Sequence, residues 1–154
     1  PAYYEILILP NLSNQNIRFV EVGGETTRQG KVEYISKYDI THRELNVCIS
    51  EIENCHECRK CRRTMLNLYI AGKLDSYNRV FDVEWFNNNK RYMFRWALMN
   101  FWRVDMPEII KNLKRNKEIG ITDYLGAICC FPFEIGGQII GKLKFLRMKK
   151  ENNI

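Results

Sequence analysis

Apolar residues fall into short runs in the first third of the chain and into helical spacing after it. Tyr3 to Leu9 mixes aromatic and aliphatic residues and stops at Pro10, which reads as a strand or a short buried segment. Asn11 to Asn16 is a polar turn cluster. Ile17 to Val22 predicts a second strand, broken by Gly23-Gly24. Thr26 or Thr27 can cap a helix reaching about Lys37, with Val32 and Ile35 on its inner side. Leu45 to Ile49 reads as a short apolar strand that runs into a group of cysteines.

From there the 3.6-residue period dominates. A helix is expected from about Cys58 to Ala71, with Met65, Leu66, Leu68 and Tyr69 as its stripe and Gly72 at its end. Val83 to Arg103 carries Trp85, Phe86, Tyr92, Phe94, Trp96, Phe101 and Trp102 and predicts helix interrupted near Asn87-Asn88-Asn89. The three tryptophans are expected in the core or under a covering partner. Asp105 can cap a helix from Pro107 to about Asn116, with Ile109, Ile110 and Leu113 inward. Ile121 to Phe133 suits helix, and Gln138 to Met148 suits strand or helix. The pattern predicts an α/β segment over residues 1–83 followed by a mainly helical region over 84–154, together one compact unit.

Composition adds limits. The 154 residues are 45% hydrophobic and 27% charged, ordinary for a globular chain and unlike a disordered one. The longest strongly apolar stretch, Leu125 to Phe133, is far short of the roughly 20 residues a membrane span needs. No basic region and apolar core open the chain as a signal peptide would, so a cytoplasmic location is the expectation. The formal charge is +6, which permits an anionic partner. Much of it sits in Arg59, Lys60, Arg62 and Arg63, and in a tail (Lys142, Lys144, Arg147, Lys149, Lys150) that reads as a solvated end.

The six cysteines change the picture most. Without a secretory signal they point away from a disulfide scaffold. Cys129 and Cys130 lie in an apolar run and are expected as buried thiols. The other four are spaced Cys48-x6-Cys55-x2-Cys58-x2-Cys61. Four thiolates can close a tetrahedral zinc site, and the predicted helix start at Cys58 puts Cys58 and Cys61 on one face. The helix N-terminus favours thiolate charge, and the neighbouring Arg59, Lys60, Arg62 and Arg63 offset the −2 of such a site. A closed site leaves no place for substrate, so its role is a structural staple. An iron–sulfur cluster is the rival, because Cys55-x2-Cys58-x2-Cys61 is also a ferredoxin spacing, although Arg62-Arg63-Thr64 follows where that pattern has a fourth Cys before Pro. Free thiols and disulfides also remain open, and His56 can replace one ligand.

The block Asn54-Cys55-His56-Glu57-Cys58-Arg59-Lys60-Cys61-Arg62-Arg63-Thr64-Met65-Leu66, with Asn46-Val47-Cys48 before it and Gly72-Lys73-Leu74-Asp75 after it, resembles the C-terminal part of PP-loop ATP-pyrophosphatase-like proteins, the 7-cyano-7-deazaguanine synthases among them. Glu25 to Ile35 is similar to the Thr-Arg helix that precedes their zinc cysteines. The likeness covers roughly Ile17 to Val83. It implies a partial Rossmann-like half with a zinc-cysteine knuckle at Cys48, Cys55, Cys58 and Cys61. It also implies a parent enzyme that binds ATP, adenylates a substrate and releases pyrophosphate. That family's Ser-Gly-Gly-x-Asp-Ser phosphate loop is absent. The nearest substitute is Val22-Gly23-Gly24-Glu25-Thr26-Thr27, where Gly23, Gly24, Thr26 and Thr27, with Arg28 and Lys31, are candidate phosphate contacts. This chain would then be a C-terminal portion, inactive alone, needing a nucleotide-binding region or subunit to hold ATP. Its docking face would be apolar and prone to self-association. A zinc-stabilised basic nucleic-acid-binding module is the alternative, and an iron–sulfur protein a second.

Overall fold

The computed structural model describes residues 8–20, 24–133 and 136–137, and among these there is no strand. The expected α/β, Rossmann-like first half is therefore corrected to helices joined by irregular backbone. The reason is local. At Leu45 to Ile49 the backbone groups are claimed by asparagine side chains, not by a neighbouring strand. Val47 N–H donates to Asn54 Oδ1 at 2.9 Å. Cys48 N–H donates to Asn46 Oδ1 at 3.0 Å, and the Leu45 carbonyl accepts from Asn54 Nδ2 at 2.8 Å. At Ile17 to Val20 the same competition wins. Ile17 N–H donates to Asn14 Oδ1 at 2.8 Å and Phe19 N–H to Ser13 Oγ at 2.9 Å. Short polar side chains that capture nearby backbone groups displace the sheet ladder, and strand propensity without a surface to pack on decides little. Leu9–Leu12 is a 3-10 turn with Pro10 in its first positions. The rest of the Tyr3 to Leu9 reading, residues 21–22 and Gln138 to Met148 lie outside the described residues.

Seven helices follow among the described residues. They are α1 (Arg28–Ile35), α2 (Asp39–Glu44), α3 (Arg59–Ile70), α4 (Val83–Asn88), α5 (Lys90–Met99), α6 (Met106–Arg115) and α7 over residues 121–133. Thr27 caps α1 by accepting Gly30 N–H at 3.2 Å. The aromatic stretch breaks at Asn89, as the asparagine run predicts. Gly72, at φ 64°, closes α3: Lys73 N–H returns to the Leu68 carbonyl and Gly72 N–H to that of Tyr69, each at 2.9 Å. α6 ends in the same motif, but with Lys117 at φ 57° where glycine would be unstrained.

α3 is the axis. Cys61, Met65, Leu66 and Leu68 on it are wholly buried. It packs on α1, on α6 and on the 3-10 turn Leu74–Tyr77. Val32, Ile109, Leu113, Tyr77, Phe86, Met93 and Phe94 belong to the same cluster. Each such large apolar side chain contributes about 1.5–3 kcal/mol on burial. α7 is tied down differently. Its buried Asp123 accepts from Gly120 N–H and from Arg91 of α5, both at 3.0 Å. A Cβ at Gly126 would stand 2.6 Å from Arg95 Nε, so a larger residue there would have to displace the Arg95 guanidinium. Cys129 and Cys130 are exposed, not buried as their apolar surroundings predict. They follow Ala127 onto the outer side of α7. No helix among the described residues is long and apolar enough to cross a membrane.

Candidate metal centre

Cys48, Cys55, Cys58 and Cys61 meet at the start of α3. Their four Sγ atoms all lie within 4.8 Å of one another. Cys48 Sγ is 3.4 Å from Cys55 Sγ and 3.9 Å from Cys58 Sγ. A disulfide needs about 2.05 Å, and all four are free thiols. Four cysteines so close together can hold a metal ion.

The backbone prepares the sulfurs for negative charge. Ser50 and Glu51 N–H groups each donate to Cys48 Sγ at 3.4 Å. Cys58 N–H donates to Cys55 Sγ at 3.3 Å, and Cys61 N–H to Cys58 Sγ at 3.5 Å. That last contact makes Cys58 the N-cap of α3, so the cap and the candidate ligand are one residue. The thiols differ among themselves. The Ser50 N–H, helped by those of Cys55 and Glu51, pulls Cys48 down to about 6. Burial pushes Cys55 up, and pushes Cys61 up strongly. A cation placed among them would reverse that penalty on Cys61, because a coordinating thiol is deprotonated outright.

Two residues that the spacing does not mark hold the knuckle in shape. Asn54 is buried. Its Oδ1 accepts from Val47 N–H and from Cys61 Sγ, the latter at 3.8 Å, while Nδ2 donates to the carbonyls of Leu45 and Val80. It thus fastens the Cys48 strap to the Cys61 helix and both to the segment before α4. His56 adopts φ 60°, a conformation β-carbon residues resist. Its Nδ1 accepts from Asp82 N–H at 3.2 Å and its ring lies edge-on to Phe81. It is a hinge between Cys55 and Cys58, and it stands outside the four-sulfur group. The signal available in the sequence was the pair Asn46 and Asn54 flanking a short apolar run, the residue type that turns on its own backbone.

The basic run does not act as one cloud around the sulfurs. Arg63 is buried in an ion pair with Asp105, 42 positions later. Burial pushes the Asp105 carboxyl up, but the Arg63 hydrogen bond and charge outweigh it and hold the group below its ordinary range. This contact also means Asp105 starts α6 without a side-chain cap bond. Arg62 donates to Tyr92 Oη at 2.8 Å and lies over the Tyr92 and Trp96 rings. Arg59 is exposed and Lys60 half-buried.

The candidate phosphate contacts are spread along the approach to α1. Gly24 and Thr26 are exposed in a turn, Thr27 spends its hydroxyl on the cap, and Arg28 and Lys31 project from the first turn of the helix. Gly23 lies outside the described residues. Of the five described, only Arg28 reaches the rim of a cleft shared with α3 and α6. Comparison with family models, with curated proteins and with solved structures returns no match.

Proposed function

We propose that this chain is a helical module stapled by one structural Zn2+ on Cys48, Cys55, Cys58 and Cys61. The observation that carries the reading is the sulfur cluster itself. Four ligands at the usual Zn–S distance of about 2.3 Å stand about 3.8 Å apart at the corners of a tetrahedron, and separations of 3.4 and 3.9 Å bracket that value. Four thiols that all fall within 4.8 Å of one another suit a single ion. An iron–sulfur cluster interposes its own irons between the cysteines and would need them spread wider. The ion would offset the desolvation of Cys61 and fix the first turn of α3. With four protein ligands it has no open position, so its contribution is to folding and not to chemistry on a substrate.

An ATP-pyrophosphatase origin rests on the cysteine block and its flanks alone. The helical surroundings of the block supply neither the parallel sheet nor the phosphate loop on which that chemistry depends. A binding role for the module is the better-supported use, for the reason developed in the next subsection.

Metal analysis by inductively coupled plasma mass spectrometry tests the staple. One zinc per chain is expected, lost to a strong chelator together with much of the helical circular dichroism and a fall in Tm of well over 10 °C. Iron with acid-labile sulfide, or a folded and reduced protein without metal, would overturn it.

A further inference from the structure

Three helix starts converge on a cleft of about 460 Å³ on the α1–α3–α6 side of the molecule. Arg28 opens α1, Arg59 opens α3, and Asp105 precedes α6. Arg63 and Arg103 add two more guanidiniums, and Trp102 and Val104 an apolar wall. Among the described lining residues four are arginines and two, Asp105 and Glu108, are carboxylates. Asp105 is committed to Arg63. That pair still leaves the buried Arg63 Nε without a hydrogen-bond partner. Arg103 is steadied by its Nε, which donates to Asn100 Oδ1 at 2.8 Å. Trp102 is 47% exposed, yet its ring is fixed by edge-on contacts with Phe101 and Phe131 at 5.4 and 5.6 Å. A large ring held half bare beside four guanidiniums is the opposite of what burial alone would select.

From this geometry we infer that the cleft binds a nucleotide phosphate, with the arginines on the phosphate oxygens and Trp102 against the base. Guanidinium forks match phosphate geometry. Neighbouring helix N-termini add positive potential. Base stacking on an aromatic ring is tolerant of sequence, and the volume suits one nucleotide. The inference goes beyond the zinc staple and does not need it: the four cysteines are absent from the lining, and the cleft residues are absent from the sulfur cluster.

The source of the phosphate is either a free nucleotide or a single strand. The full chain is titrated, by fluorescence anisotropy, into a labelled 12-nucleotide single-stranded RNA of mixed sequence, and by tryptophan fluorescence with AMP. Zinc content and circular dichroism are recorded on every sample. Arg28→Gln with Arg59→Gln, both exposed positions, is expected to weaken binding at least tenfold and to flatten the salt dependence by roughly one phosphate contact or more. Trp102→Leu is expected to cost about five- to tenfold. The double change Lys111→Gln with Lys114→Gln, the same charge removed elsewhere on α6, should cost less than twofold. Loss in the AMP arm assigns the cleft to a free nucleotide; loss in the RNA arm alone assigns it to a strand. Absence of binding in both arms by folded protein overturns the inference, as does RNA binding that the two double variants weaken equally. Zinc-loaded protein that fails to bind sinks the cleft alone, and metal-free folded protein that binds sinks only the staple.

Discussion

The two ends of α3 are built on different principles. Its last two turns are held by burial: Met65, Leu66 and Leu68 are inaccessible to solvent and touch apolar neighbours from several helices. Its first turn has little such support. Cys61 is buried, but Cys48, Cys55 and Cys58 are only partly so, Ile49 and Ile52 are exposed, and shape there comes largely from side-chain-to-backbone hydrogen bonds and four facing thiols. Burial is forgiving, because any apolar residue of about the right volume keeps most of the energy. A polar knuckle is unforgiving, since each unmade bond on a buried group costs more than a made one gains. The first turn is therefore where the proposed ion would add most, and the last turns where it would add least.

Leu66→Ala separates the two ends most sharply. It should cost about 2–5 kcal/mol in chemical denaturation while leaving metal stoichiometry unchanged; a loss of metal along with stability would mean the ends are one unit. Asn54→Ala attacks the other end. It leaves Val47 N–H and the Leu45 and Val80 carbonyls unpaired, and should cost about 1–3 kcal/mol while weakening zinc affinity at least tenfold in a competition assay. Leu66→Ala should not show that second effect.

How far these features were legible in the sequence follows the same division. α1, α3, the break at Asn89 and α6 were readable because caps, glycine and apolar spacing act within a few residues. The four sulfurs were readable because metal spacing is local as well. The strands were misread at Ile17 to Val20 and Leu45 to Ile49, where Ser13, Asn14, Asn46 and Asn54 take the backbone groups that a ladder would use. The Arg63–Asp105 pair, the Arg62 seat on Tyr92 and the exposure of Cys129 and Cys130 depend on which helices meet, which periodicity does not encode.

That buried pair gives a pH test. The folded-state pKa of Asp105 is depressed, so its contribution is full above the unfolded value of about 3.9 and is lost as pH falls through the lower folded value. Tm of the holoprotein should drop between pH 5 and pH 2, and Asp105→Asn should start lower and lose that part of the slope. An unchanged slope would remove the pair from the stability of the core end. The smallest effect should be a gain. Lys117 closes α6 at φ 57°, and Lys117→Gly should raise stability by about 0.5–1 kcal/mol with metal affinity untouched.

The order of events during synthesis follows from where these contacts fall. The Cys48 to Cys61 loop closes within a stretch of chain that leaves the ribosome together, whereas Arg63 waits for a carboxylate 42 residues later. Short loops close fast and long-range pairings slowly. A nascent chain that captures its ion early has the first turn of α3 nucleated while the Met65 to Leu68 stripe is still bare. For the time it takes to extend from Leu68 to Leu113, that stripe is the surface a chaperone would cover.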